Sequence, residues 1–229
     1  LLSAFRRDPA GMEYSNLFAP TDINDAPRDA YIRVLEIARE TIKKDIKNAW
    51  LVKYLHDRKL GKTILMKIIY GARLKRNTEE VKAYFIDQKL FGTEVEYESI
   101  QDLTKVLRKA SEQVFPMAFE ALNWINKLYS AASKKTPKPE SFSWTTPNLD
   151  YIHLKKAKQK SRRIESESYG NISIPLDEIK EIKYLKMRDA LAAGFVHSYD
   201  SCVLKSAFDN WNRALVVVHD CFKVLPNDM

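Results

Sequence analysis

Wound at ~100° per residue, the apolar and polar positions of residues 57–71 separate onto two faces of a predicted helix. Leu60, Ile64 and Ile68 gather on one side and face a core. Arg58, Lys62, Met66 and Tyr70 recur every four residues and share an arc of roughly 120° on the other side. Gly71 follows Tyr70 and can take the positive φ that ends a helix. Upstream, Tyr31, Leu35, Ala38, Ile42 and Ile46 fall at helical spacing, which predicts one long helix from Pro27 to Leu55 with Pro27 in its first position. Trp50 then reads as an ordinary core residue between the two helices.

Around these helices the pattern predicts the tail of a helix over Leu1–Asp8 and a loop from Pro9 to Ala26. A basic run (Arg73, Lys75, Arg76) precedes a helix capped by Asn77 or Thr78. Ser99 with Asp102 has the form of a capping box opening a helix to about Ser133, which Pro116 kinks or splits. Residues 134–143 are a Lys, Pro and Ser loop. From Trp144 the pattern becomes strand-like, with a β-hairpin over about Ile164–Ile174 turning at 168–171. Helices are predicted over Leu176–Leu191 and Tyr199–Trp211. Last, Ala214–Val218 reads as a strand buried on both faces, followed by a tight turn at His219-Asp220 and a returning strand from Cys221. Such a hairpin lifts the Asp220 carboxylate to an exposed tip.

Two cations on the wet face of residues 57–71 could hold a polyphosphate; the plainer alternative is a basic face that is only solvated. The same pair of readings applies to Lys155, Lys156, Lys158, Lys160, Arg162 and Arg163: a solvated run, or a contact with a nucleic-acid backbone. Asp220 is either a turn residue or a metal ligand. His197 is either a core histidine or part of a site, and Met66 has the same core alternative.

Composition narrows these choices a little. Among 229 residues, 45% are hydrophobic, so the chain can bury a core, and the formal net charge of +8 favours an anionic partner. Two cysteines, Cys202 and Cys221, make neither a disulfide framework nor a zinc pattern. There is no apolar run of ~18 residues, so no membrane partner is expected. The chain opens at Leu1 inside a helical pattern and stops at Asn227-Asp228-Met229 without a closing element, so a piece of a longer polypeptide is expected.

Taken together, the motifs resemble the bacteriophage-type single-subunit RNA polymerases. That family's Arg-x3-Lys-x3-Met-x3-Tyr-Gly helix is matched by Arg58, Lys62, Met66, Tyr70 and Gly71. Its His-Asp-Ser/Cys-Phe hairpin is matched by His219-Asp220-Cys221-Phe222. Its Asn-Phe-x-His-Ser-x-Asp segment is matched by 194–200, with Gly194 in place of Asn, a departure expected to alter the local turn. The family A DNA polymerases share the fold and the Arg/Lys/Tyr-Gly spacing, but Met66 and Cys221 favour the RNA polymerases. The residues after Cys221 look more phage-like than mitochondrial.

The resemblance implies an α+β, predominantly helical fold: fingers plus part of the palm of a right-hand polymerase, with a small antiparallel hairpin carrying Asp220. It divides the chain into palm and fingers helices (1–56), a nucleotide-binding helix (57–71), further fingers helices (72–143), an irregular hairpin region contacting promoter DNA (144–176), and palm (177–229). It implies template-directed ribonucleotidyl transfer using two Mg2+ ions, one held by Asp220 and the other catalytic Asp lying just upstream of Leu1. Lys62 and Arg58 meet the triphosphate, and Lys62 also protonates the departing pyrophosphate. Tyr70, beside Met66 and Gly71, sits under the incoming base and senses the ribose. His197 lies near the growing RNA end, and Lys155–Arg163 meets DNA. The implied partners are template and promoter DNA, nascent RNA, ribonucleoside triphosphates and the rest of the polymerase chain. The implied setting is the cytoplasm of an infected bacterial host, or alternatively a mitochondrion. A non-catalytic nucleic-acid-binding subunit, degenerate or half of a split enzyme, is the competing class.

Overall fold

A computed structural model describes residues 2–19, 22, 26–45, 47–166, 170–218 and 221–224. Eight α-helices and three two-stranded antiparallel sheets make up the described fold, which is mostly helical and of the α+β class. The core is helical. It is built where α3 (Ala30–Ile42), α4 (Arg58–Ile69), α5 (Leu74–Asp87) and α6 (Tyr97–Val114) pack together. Leu35, Leu60, Ile64, Phe85, Leu103 and Leu107 are fully buried there, each burial contributing roughly 1.5–3 kcal/mol.

The long helix expected over Pro27–Leu55 is broken. It starts later because Asp29 caps α3, its carboxylate accepting from the Tyr31 and Ile32 amides. It stops at Ile42 because Asp45 accepts from the Lys47 amide and the Asn48 side chain, a local alternative to helical hydrogen bonding. A short 3-10 helix then covers Ala49–Tyr54. Trp50 is not a core residue: it is 39% exposed and meets Tyr54 edge-on.

Near the N-terminus, α1 (Leu2–Phe5) matches the expected helix tail, but part of the expected loop folds as α2 (Pro9–Tyr14), with Pro9 in the first turn. Asp8 is buried and its carboxylate accepts from the Met117 amide at the start of α7 (Pro116–Ser133). Pro116 splits α6 from α7 at Phe115, whose ψ of 57° leaves the helical region.

Two expected caps are misplaced. Asn77 and Thr78 lie buried inside α5, which begins at Leu74. The α6 helix starts at Tyr97, and Asp102 is paired with Lys105 at 2.9 Å rather than closing a capping box.

The second half carries the hairpins. β1 (Phe142–Thr145) pairs with β2 (Tyr151–Leu154). The next hairpin is much longer than expected, β3 (Ala157–Ser166) against β4 (Gly170–Ile182), with register irregularities near both Lys158 and Lys160. Residues 176–182, expected to open a helix, extend β4 instead, because pairing with β3 outweighs their local helical spacing. Its base is anchored by buried Ile182 and by the Lys183 amide donating to the Lys156 carbonyl. The turn residues 167–169 lie outside the described residues.

α8 (Tyr184–Ala207) is one helix where two were expected. Gly194 lies in its interior and alters no turn. A Cβ there would sit at ordinary contact distance from Trp144. β5 (Leu215–Val218) pairs antiparallel with β6 (Cys221–Val224). The expectation of burial on both faces fails at Val216, which is 58% exposed.

Candidate active site

The helix expected over 57–71 forms as α4, and local chemistry sets both of its ends. At the start, the Asp57 carboxylate accepts from the Lys59 amide with one oxygen and from the Tyr84 hydroxyl, at 2.7 Å, with the other. Desolvation first, then the hydrogen bond to Asp57, pushes the Tyr84 phenol well above its usual range. At the end, Gly71 has φ of 81°. Its amide donates to Ile68 at 2.8 Å and that of Ala72 to Lys67 at 2.9 Å, the paired closure of a Schellman motif.

Between these ends, Leu60, Ile64 and Ile68 are buried, while Arg58 and Lys62 are exposed and Met66 and Tyr70 half-buried. The four side chains do form one ridge. Arg58 is not free on it: its Nε donates to Asp29 Oδ2 at 2.5 Å, and its guanidinium lies 4.7 Å from the centre of the Tyr31 ring. The Tyr31 hydroxyl in turn donates to Met66 Sδ at 3.6 Å. Burial pushes the Asp29 carboxyl up, but Arg58 and the Ile32 and Tyr31 amides together outweigh it and hold the group below the usual carboxylate range. Lys62 makes no ion pair among the described residues.

Sequence reasoning missed this brace. Its signal was Gly61, an unexplained glycine inside a helix. A Cβ there would lie 2.7 Å from the Tyr31 carbonyl, so only glycine lets α4 approach α3 closely enough for Asp29 and Tyr31 to reach Arg58.

At the other end of the ridge, α8 supplies His197. It is exposed, not a core histidine, and its ring centre lies 4.8 Å from that of Tyr70. α8 is held in place beside it by Ala192, whose Cβ faces Gly71 so closely that a Cβ on Gly71 would sit 3.0 Å away. Trp144 adds a second hold, its indole N–H donating to Ser198 Oγ at 2.9 Å and its ring packing on Phe195. Two of the sequence motifs therefore meet at the Tyr70–Gly71 turn.

Asp220 and its neighbour His219 lie outside the described residues, though the pairing of Val218 with Cys221 on either side of them in sequence is a tight antiparallel one. Among the described residues, no three His, Cys, Asp or Glu side chains gather to hold a metal ion. Lys158, Lys160, Arg162 and Arg163 lie on β3, preceded by Lys155 and Lys156. Lys155 pairs with Glu140 at 3.2 Å and Lys158 with Glu181. Lys156, Lys160, Arg162 and Arg163 form no ion pair among the described residues. No described helix is long and apolar enough to cross a membrane.

A sequence family described as DNA-dependent RNA polymerase matches residues 2–229. DNA-directed RNA polymerase 2, chloroplastic/mitochondrial, of Arabidopsis thaliana is 26% identical over 235 residues, covering 96% of this chain and 22% of the plant protein. The chain thus spans about a fifth of the length of that relative. With the motifs in order and the family match running across nearly all of its residues, the chain belongs to the phage-type single-subunit DNA-dependent RNA polymerases.

Proposed function

We propose that this chain forms the fingers and part of the palm of a polymerase that adds ribonucleotides to an RNA 3′ end on a DNA template. The observation that carries the reading is the meeting of Tyr70 and His197, from motifs far apart in sequence, at the end of the Arg58–Lys62–Met66–Tyr70 ridge. A nucleoside triphosphate fits that ridge lengthwise. From Lys62 to Tyr70 the helix rises ~12 Å, which separates a polyphosphate end from a base end.

In this reading Lys62 and Arg58 neutralise the triphosphate. The Arg58 Nε is committed to Asp29, which aims the guanidinium and leaves its terminal nitrogens to donate to phosphate oxygens. Lys62 gives its proton to the departing pyrophosphate. Tyr70 packs under the base beside Met66 and senses the ribose, with Gly71 letting the chain turn away. His197, whose ring meets that of Tyr70 at a tilt, borders the RNA end. Asp220, with a carboxylate supplied from outside this chain, would hold Mg2+, whose chemistry when bound is activation of the 3′-hydroxyl and neutralisation of pyrophosphate.

The β3–β4 hairpin, with Lys155, Lys156, Lys158, Lys160, Arg162 and Arg163, would lie on promoter DNA. The rest of the polymerase, nascent RNA and template complete the set of partners. A phage-infected bacterial cytoplasm suits the phage-like residues after Cys221, and the plant relative's organelles are the alternative setting.

The test is RNA extension on a primed DNA template by the full-length polymerase. Asp220→Asn should abolish extension while template binding persists. Lys62→Ala should lower kcat/KM by a factor of 100 or more, on the scale of removing one charge-stabilising group. An Asp220→Asn enzyme that extends RNA at the parental rate would overturn the assignment.

A further inference from the structure

The β1–β2 hairpin touches α8 through three side chains. The Trp144 indole N–H donates to Ser198 Oγ at 2.9 Å. Asn148 Nδ2 donates to the Cys202 carbonyl at 3.2 Å and to Ser206 Oγ at 3.3 Å. Asp150 pairs with Lys205 at 2.6 Å. Positions 198, 202 and 205–206 recur at helical spacing, so these contacts run in one line down the helix. The contact at Ser198 is the most constrained of them. Ser198 is buried, and its own proton is committed to the Phe195 carbonyl at 2.8 Å. Its oxygen is left to accept from the indole. The Trp144 ring also packs on Phe195, and it lies 3.6 Å from where a Cβ on Gly194 would sit. One tryptophan therefore grips α8 at Gly194, Phe195 and Ser198, all within a helical turn of His197.

We infer that Trp144 is a positioning residue for the polymerase reaction: through Ser198 its N–H sets the roll of α8, and so sets where His197 stands beside Tyr70 and the RNA end. The inference rests on the reading that places His197 at that end. His197 precedes Ser198 and lies ~100° round the helix from it, so holding Ser198 on Trp144 turns the imidazole toward Tyr70. The contact between the His197 and Tyr70 rings is tilted by 50° with centres 4.8 Å apart. Ring contacts of this kind accept a range of offsets, whereas a hydrogen bond weakens steeply outside a narrow span of distance and angle. The imidazole sits ~6 Å from the helix axis, so a roll of ~10° moves it by ~1 Å, a displacement that can lower a rate by about a hundredfold. Asn148 and Asp150 grip α8 only from Cys202 onward, beyond His197.

The experiment is a double-mutant cycle read by RNA extension with the full-length polymerase. Trp144→Phe keeps a ring and removes the N–H. It should lower kcat about tenfold and change KM for ribonucleotides by less than about twofold, because the triphosphate cations stand on α4. Ser198→Ala breaks the same bond from the other side with a smaller change of volume and should give the same loss. In a His197→Ala background neither substitution should lower kcat further. Asn148→Ala is the control for general loosening. It removes both hydrogen bonds from that side chain to α8, and it should lower the urea midpoint at least as far as Trp144→Phe does while kcat stays within about twofold of the parent. Parental kcat in Trp144→Phe or Ser198→Ala, an undiminished loss in the His197→Ala background, or an equal loss of kcat in Asn148→Ala overturns the inference and leaves the polymerase reading intact. Parental kcat in His197→Ala itself overturns the placing of His197 at the RNA end, and the inference with it.

Discussion

Arg58 shows how one exposed side chain is fixed in place by its neighbours. Its Nε is fixed by Asp29, its plane rests on Tyr31, and Tyr31 is tied to Met66. Asp29 carries two tasks, capping α3 and aiming Arg58. The sign of its pH effect follows. A carboxyl held below its unfolded value stabilises the fold above the ordinary carboxylate range, and that stability is lost as pH falls through the depressed value. Asp29→Asn keeps a competent cap but removes the charge. Its melting temperature should therefore be lower than the parent's at neutral pH, and the gap should close on acidification. A gap that persists unchanged into acid would show that charge plays no part in the brace.

At the scale of elements, the contact between α3 and α4 depends on Gly61. Gly61→Ala puts a methyl against the Tyr31 carbonyl, and since backbone rather than a flexible side chain must give way, a loss of about 1–3 kcal/mol in urea unfolding is expected. The same shift separates Arg58 from Asp29 and Tyr31, so KM for ribonucleotides should rise more than template affinity falls. Gly71 is under a different constraint, a left-handed backbone pressed against α8. The two glycines of the motif thus keep its two ends against different neighbours.

At the scale of the molecule, charge is unevenly used. Many cations of the helical core are matched by carboxylates, as in Lys53 with Glu94 and Arg76 with Glu80. On β3, Lys160, Arg162 and Arg163 have no such match among the described residues. Exposed pairs contribute little to stability, so replacing these three by Gln should leave unfolding unchanged within ~0.5 kcal/mol. Promoter-DNA binding should instead weaken, and its log–log salt slope should fall by roughly two to three. A wild-type salt slope in the triple variant would place the DNA elsewhere.

What was local was legible. The 3.6-residue spacing of Leu60, Ile64 and Ile68, the glycine that closes α4, the split at Pro116 and the β-branched strands of the last hairpin are each decided within a few neighbouring residues. For that reason the sequence alone was enough to name the family and its ridge. Where local options competed, side-chain hydrogen bonds and pairing between segments chose among them. Asp45 and Asn48 broke a helix that periodicity would have continued, and strand pairing captured residues 176–182. α8 ran straight through Gly194, against Trp144. The contact of His197 with Tyr70 and the brace on Arg58 join residues distant in sequence. No local rule encodes such a meeting, because it exists only once the helices that carry the residues have packed.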